Sequence, residues 1–276
     1  MKKLKMAIVG YGFVGKAVAY GFNDHSVDKT IVDPKEGVTI DDVKWNHDIT
    51  FVCVPTPMAN DGSIDATILH DVMKKLKNCS SGMIVLKSTV TPDIVKKIIS
   101  DKVMGHRIVY NPEFLTERQA NEDFINPIMH VFGGQPTATK ELESIYEEHS
   151  LCRPCEVHHM SAVDASFVKY GINCFLATKV LWFNQYLDIV ESGGGNFGRV
   201  INAIGSDSRI SQSHTRVPGF DNKRGFGGAC FPKDTSAFNT FAKTFSILDK
   251  VIEENNKYRS GYDKDERELE QNVKYG

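Results

Sequence analysis

The sequence predicts an α/β fold, a doubly wound and mostly parallel sheet followed by an all-helical region built on one long central helix. Three observations predict it. Short apolar, β-branched runs alternate with helix-spaced segments from Leu4 to Met160, the pattern of strand–helix–strand crossovers that cover both faces of a sheet. From Val163 to Val190 apolar residues recur at helical spacing with no proline to stop them. Glycine clusters at Gly10 to Gly15, Gly193 to Gly195 and Gly225 to Gly228 fall at the junctions.

Taken in order, Leu4 to Val9 reads as a strand, Val14 to Phe22 as a helix, and Thr30 to Asp33 and Ile49 to Val54 as further apolar strands. Leu69 to Leu76 carries helix spacing. Gly82 to Lys87 holds the next buried strand, Pro92 to Ile99 a helix and Arg107 to Tyr110 a strand. His130 to Phe132, a helix from Ala138 to Glu148 and an extended Glu156 to Met160 complete the sheet region. The long run then places Phe167, Val168, Ile172, Phe175, Leu176, Val180, Leu181 and Phe183 on a helix that ends at the triple glycine. Phe197 to Ile204 is a shorter helix, Ile210 to Gly228 a loop, and one helix runs from Thr235 to about Asn255 before a polar tail. The domain boundaries expected are 1–161, 162–259 and 260–276.

Of the 276 residues, 41% are hydrophobic and 25% charged, which excludes a disordered, collagenous or wholly coiled-coil chain. Lys and Arg number 33 against 35 Asp and Glu, a formal charge of -2, so no chain-wide basic field exists to hold nucleic acid or an anionic membrane. No stretch of roughly 20 apolar residues offers a membrane span. The lysine-rich start is broken at Gly10, Gly12 and Gly15 before it can form a signal peptide's apolar stretch. A cytoplasmic protein is expected, with its six cysteines as thiols rather than a disulfide framework.

Gly10-Tyr11-Gly12-Phe13-Val14-Gly15 fits G-x-G-x-x-G, a weak pattern alone that gains weight from its context. It follows a strand, opens a helix, and precedes Asp33 at the end of the second strand. Gly10 allows the tight turn, Gly12 the approach of a pyrophosphate, and Gly15 close packing of helix on strand, while the helix start offers free N–H groups. Asp33 accepts hydrogen bonds from a ribose hydroxyl and repels a 2′-phosphate. The expected cofactor is NAD, on a Rossmann-like domain; an ordinary glycine turn is the alternative.

A second segment, Gly225-Phe226-Gly227-Gly228-Ala229-Cys230-Phe231-Pro232-Lys233-Asp234, sets a cysteine between a glycine-rich loop and a helix start. The helix start and Lys233 favour a thiolate, and Asp234 can accept a proton. Read alone, this competes evenly with a buried cysteine beside a helix that Asp234 caps.

With Val54-Pro55-Thr56-Pro57, Lys87-Ser88-Thr89-Val90, Asn111-Pro112-Glu113-Phe114-Leu115 and Lys169-Tyr170-Gly171-Ile172-Asn173 in the same order, the chain resembles the UDP-glucose/GDP-mannose dehydrogenase family from about Lys5 to Arg259. The resemblance implies oxidation of a nucleotide sugar's primary alcohol, in UDP-glucose or a related compound, to a carboxylate with two NAD and no metal. By the resemblance Cys230 is the nucleophile that carries a thiohemiacetal and then a thioester. Lys169 stabilises developing negative charge and Asn173 donates a hydrogen bond from the same helical face. Glu113 handles the proton of the hydrolytic water, which Thr89 and Asp234 hold. The implied cofactor contacts are Gly10, Gly12, Phe13, Val14, Gly15, Asp33, Lys35, Val54, Thr56, Thr89, Glu117 and Lys233. The implied substrate contacts are Glu113, Phe114, Leu115, Lys169, Asn173, Phe226 and Gly227. A homodimer through the central helix is also implied.

The chain departs from the family pattern at several places. Thr116-Glu117-Arg118 stands where Arg-Glu-Gly is usual, Ser166 and Gln185 replace acids, and the stretch between Asp33 and Ile49 is short. After Asp234 the residues provide for one helix and a tail, and the family's third, nucleotide-gripping domain is expected to be absent, which lowers rate as well as affinity. Two other readings stay open: a β-hydroxyacid dehydrogenase of the 6-phosphogluconate type, which transfers one hydride and needs no cysteine, and a non-catalytic NAD-binding dimer. Cys152-x-x-Cys155 with His158 and His159 is metal-like in spacing but lacks a second pair. His214, Arg216, Lys223 and Arg224 put cations beside the thiol loop, for solvent or for a diphosphate.

Overall fold

A computed structural model describes residues 3–79, 81–100 and 107–276. The chain divides into two units, Met1–Thr56 with Ala66–Lys169, and Pro57–Asp65 with Tyr170–Gly276. In the first unit β1 (Leu4–Val9), β2 (Val27–Val32), β3 (His47–Val52), β4 (Ser81–Leu86), β5 (Arg107–Tyr110), β6 (Met129–Gly134) and β7 (Glu156–Met160) form one sheet in the order β2-β1-β3-β4-β5-β6-β7. Every pairing is parallel except β5 with β6.

Register aligns the carboxyl ends of five strands. Val9 lies opposite Val32 and Val52, Val52 opposite Leu86, and Leu86 opposite Tyr110. Each ladder gains one more bond past that row: Gly10 N to Val32 O, Cys53 N to Val9 O, Lys87 N to Val52 O and Asn111 N to Leu86 O. The loops that carry the first unit's candidate residues therefore leave the sheet from one edge. Strand order reverses between β1 and β3, the place where open α/β sheets bind ligands.

Alternation along the strands sends Met6, Ile8, Ile49, Phe51, Met83 and Val85 to one face, under α1 (Phe13–Gly21), α4 (Ala120–Ile125) and α5 (Pro136–His149). Phe22, Phe124, Phe132 and Tyr146 close that layer. Val9, Val52, Ile84, Leu86 and Tyr110 face the other way, under α2 (Thr67–Leu76) and α3 (Pro92–Ser100). Burial on both faces explains why these strands read as continuous apolar runs, and each fully buried large side chain contributes about 2–3 kcal/mol. The six-residue α4 escapes the sequence pattern because it is too short to show a period. Between β2 and β3 the short crossover makes two 3₁₀ turns, Pro34–Glu36 and Ile40–Asp42.

The second unit is helical: α6 (Ala162–Ser192) from Tyr170 onward, α7 (Phe197–Ser206), α8 (Phe231–Phe241), α9 (Ser246–Arg259) and α10 (Glu266–Glu270). The 31-residue α6 is about 46 Å long at 1.5 Å per residue. Ser161 opens it, accepting from Asp164 N at 3.1 Å, and Gly194, with φ of +77°, turns the chain beyond its end. The helix expected from Thr235 to about Asn255 is two helices, α8 and α9. Rings of Phe241 and Phe245 both pack on Phe238, and the chain turns at 242–245 through Phe245 N to Ala242 O and Leu248 N to Phe245 O.

Candidate active site

The glycine loop joins β1 to α1. Gly10 has φ of +91°, and a Cβ there would lie 2.7 Å from Cys53 O; a Cβ on Gly15 would lie 2.0 Å from Gly10 O. Gly12 differs, with nothing within 4 Å of a built Cβ, so its side stays open for a ligand's close approach. It is the N-cap of α1, and no described side chain caps the helix there. Phe13 and Val14 form the first turn. Asp33 Oδ2 accepts from Tyr11 N at 2.6 Å and Oδ1 from Lys35 N at 2.8 Å. An ionised carboxylate has roughly four acceptor positions, so capacity remains for a ribose hydroxyl beside the loop. An open glycine, an uncapped helix start and this carboxylate fit NAD; the Lys35 side chain is exposed nearby in sequence.

Val54 and Thr56 follow β3 and are buried. Ser88 Oγ donates to Val54 O at 2.7 Å and Thr56 Oγ1 to the main-chain oxygen of Thr89 at 2.8 Å, so the loops after β3 and β4 are tied together. The side chain of Glu117 lies outside the described residues.

Two buried lysines hold the turn after β5. Lys87 Nζ donates to Asn111 Oδ1 at 2.9 Å and Asn111 O at 3.2 Å, while Tyr146 OH donates to the same Oδ1 at 2.8 Å. Burial pushes the Lys87 ammonium down to about 8, against the pull of Cys53 and Glu113, and pushes the Cys53 thiol up to about 12. Two residues on, Glu113 O and Oε1 accept from Lys169 Nζ at 2.6 and 3.1 Å. Glu113 Oε2 accepts from Leu115 N at 2.7 Å, and the Phe114 ring lies 5.5 Å from Lys169 Nζ. Burying an ion pair gains little stability against its desolvation cost.

In the second unit Cys230 is the N-cap of α8, with Pro232 in the first turn. Behind it, Asp234 Oδ1 accepts from Lys233 Nζ at 2.5 Å and Oδ2 from Asn173 Nδ2 at 2.6 Å. All three side chains are buried. Cys174, next to Asn173, is pushed up to about 12 by burial and by Asp234. Phe226 is buried, and the main chain at Gly225 and Phe226 is gripped by side chains. Asn184 Oδ1 accepts from Gly225 N at 2.9 Å, and Arg259 Nη2 donates to Gly225 O at 3.1 Å. Asn255 takes both Phe226 groups, accepting from N at 2.7 Å and donating to O at 3.0 Å. The Arg259 guanidinium would meet a Cβ on Gly227 at 2.4 Å.

The structure thus brings Lys169 to Glu113 and, separately, Asn173 and Lys233 to Asp234. Sequence reasoning missed Asn184, Asn255 and Arg259 as loop supports. The available signal was Asn255 and Arg259 at i and i+4 on one helix, asparagine being a poor helix former. The cations near the thiol loop are engaged within the protein: Arg216 stacks on Phe220, Arg224 pairs with Asp188 at 2.8 Å, and Lys223 donates to Asp263 O. Cys152 Sγ donates to Phe124 O at 3.1 Å. Among the described residues no group of three or more His, Cys, Asp or Glu is placed to hold a metal, and no helix is long and apolar enough to cross a membrane.

Comparison with known proteins gives two family matches: the NAD binding domain of the UDP-glucose/GDP-mannose dehydrogenase family at residues 39–150, and that family's central domain at residues 163–258. A UDP-glucose 6-dehydrogenase of Bacillus subtilis is 34% identical over 247 residues, 84% of this chain and 52% of the relative. One from Rickettsia felis is 33% identical over 216 residues, 75% of this chain and 46% of the relative. The chain spans about half the length of the curated relatives it matches. Among solved structures, a UDP-glucose dehydrogenase from Pyrobaculum islandicum superposes with a TM-score of 0.77 at 28% identity, covering 92% of this chain and 68% of the other. A 3-hydroxyisobutyrate dehydrogenase of Mycobacterium tuberculosis shares the fold, with a TM-score of 0.73 at 14% identity over 94% of both chains.

Proposed function

The chain belongs to the UDP-glucose/GDP-mannose dehydrogenase family, and on that premise we propose that it oxidises the primary alcohol of a nucleotide sugar, UDP-glucose or a close relative, to a carboxylate. The observation that carries this reading is the Asp234 carboxylate held between Lys233 and Asn173 in the first turn of the helix that Cys230 caps. A thiol at a helix start with a buried, oriented carboxylate behind it suits covalent capture of an aldehyde.

Bound NAD supplies the hydride acceptor, at the glycine loop and Asp33. The chain's own residues do the rest. The Cys230 thiolate adds to the aldehyde carbon to give a thiohemiacetal, which loses a second hydride to NAD to become a thioester; water then opens the thioester, which returns the thiolate and leaves the carboxylate. Lys169 and Asn173 stabilise negative charge on the sugar oxygen as it develops. Glu113, already oriented by Lys169 and Leu115 N, takes the proton of the hydrolytic water, with Thr89 and Asp234 as that water's hydrogen-bond partners.

A homodimer through α6 belongs to the same reading. Phe175, Trp182 and Ile189 are 68%, 64% and 64% exposed along that helix, a stripe of large apolar side chains that association would cover. Sedimentation of the Trp182→Glu variant as a smaller species than the parent checks it. The thiol form of the cysteines suits a reducing cytoplasm.

The test is NADH release on adding NAD and UDP-glucose to the purified chain. Two NADH per uronate are expected, and Cys230→Ser is expected to lose uronate formation while binding NAD normally. One NADH per substrate would instead favour a β-hydroxyacid type of reaction, and unchanged turnover by Cys230→Ser would sink the thiol mechanism.

A further inference from the structure

We infer that Glu268 is a positioning residue for the reactive thiol: its buried carboxylate fixes the main chain at Gly228 and, through it, Cys230. The role rests on Cys230 being the nucleophile proposed above.

Gly228 stands two residues before Cys230 with φ of +79°, and its N–H donates to Glu268 Oε1 at 3.0 Å. Tyr275 OH donates to that same oxygen at 2.5 Å, and Asp265 N donates to Oε2 at 3.0 Å. Glu268 is 2% exposed. A carboxylate withdrawn this far from water carries a large desolvation cost, which only converging donors offset. One of those donors belongs to the thiol loop. Asn184, Asn255 and Arg259 hold Gly225 and Phe226, and Glu268 adds a grip at Gly228, closer in sequence to the thiol.

The five-residue α10 that carries Glu268 is far too short to hold itself. Its shape comes from a capping box between Asp265 and Glu268 and from anchorage just beyond it. Met58 N donates to Gln271 O at 2.9 Å, Asn272 Nδ2 to Met58 O at 2.8 Å, and Lys274 Nζ to Asn60 Oδ1 at 2.6 Å. Val273 is buried. The match to the family's central domain ends at residue 258, so the residue completing the loop's support comes from beyond the matched stretch.

The physical consequence falls on the thiolate. With Gly228 fixed, Cys230 keeps its place at the start of α8, where the helix end favours the charged form. Without it the loop relaxes and the thiol loses that advantage.

Alkylation of Cys230 by iodoacetamide, followed on its own peptide by mass spectrometry from about pH 6 to about pH 10 on the full chain, tests this without any turnover. Glu268→Ala is expected to displace the rate profile to higher pH and slow alkylation near neutrality at least about threefold. Glu268→Gln, whose amide oxygen still accepts from Gly228 N and Tyr275 OH, is expected within about twofold of the parent. A Glu268→Ala profile that coincides with the parent overturns the inference. So does a Gln variant as impaired as the Ala variant, or a faster but unshifted Ala profile, which would make the segment a mere cover. Should Glu268→Ala lose its helical circular dichroism, Glu268→Asp takes its place, a carboxylate one methylene too short to reach Gly228 N: a shift in the same direction supports the role, and an unshifted profile overturns it. A chain that shows these shifts yet releases no NADH leaves this inference standing and the dehydrogenase reading failed.

Discussion

Lys169 Nζ binds two atoms of Glu113 at once, the main-chain oxygen at 2.6 Å and Oε1 at 3.1 Å. The two side chains are 3% and 6% exposed, so one ammonium both fixes the turn and orients the carboxylate. Removing the lysine leaves a buried carboxylate without its cation, which costs about 3–5 kcal/mol. Lys169→Met is therefore expected to lower unfolding stability by that order in a urea titration. Glu113→Gln keeps an acceptor for Lys169 and loses the charge and the acceptor for Leu115 N. It is expected to fold with a much smaller loss and to form uronate slowly, and a Gln variant as unstable as Lys169→Met would show that the pair is structural.

The glycines of the nucleotide loop separate stability from binding. A Cβ at position 15 would lie 2.0 Å from a backbone oxygen, whereas at position 12 it meets nothing within 4 Å. Gly15→Ala must displace main chain and is expected to cost about 2–4 kcal/mol of unfolding free energy. Gly12→Ala is expected to unfold like the parent within about 1 kcal/mol and to lose NADH affinity, read by fluorescence titration. Equal stability losses would remove the assignment of the open side of Gly12 to the cofactor.

Asp33 already serves two main-chain donors, Tyr11 N and Lys35 N. Asp33→Ser shortens the side chain and removes its charge. NADH is expected to bind about tenfold more weakly, near 1.4 kcal/mol, and the preference over NADPH to narrow. A variant that discriminates as sharply as the parent would place the selectivity elsewhere.

These particular residues also show what the sequence makes legible. Strand β1, the glycine loop and Asp33 could be read locally, because periodicity and turn chemistry act over a few residues. The pairings Lys169 with Glu113 and Asn173 with Asp234 join residues 56 and 61 positions apart, and no spacing rule reaches that far; the matching strings flagged the residues without saying which touch. Lys87 and Asn111 stood in matched strings with no role attached. Glu268 was hidden for a different reason: an acidic side chain in a polar segment looks solvated, and only the folded chain shows the donors that bury it. The break between α8 and α9 was missed because Phe238, Phe241 and Phe245 stand in helix-compatible positions, although Phe241 and Phe245 pack on Phe238 from opposite sides of the break in sequence.

The buried Lys87 sets a pH dependence whose sign can be worked out. An ordinary lysine titrates near 10.5, and burial holds this one at about 8 in the folded chain. Between those values the unfolded chain binds the extra proton, so stability rises with pH across that interval. The thiols of buried Cys174 and half-buried Cys53, held up at about 12 against an ordinary 9.0 by desolvation, act in the opposite sense. Above about pH 9 the unfolded chain releases their protons while the folded chain keeps them, and stability falls. The Lys87 contribution is therefore cleanest from about pH 8 to about pH 9. Urea midpoints of the parent are expected to rise there, and the rise to shrink in Lys87→Met, in which Tyr146 OH remains as a donor to Asn111 Oδ1. Cys53→Ala is expected to soften the decline at higher pH and leave the earlier rise intact. A Lys87→Met profile parallel to the parent's through that window would mean that the ammonium is better solvated than its burial implies.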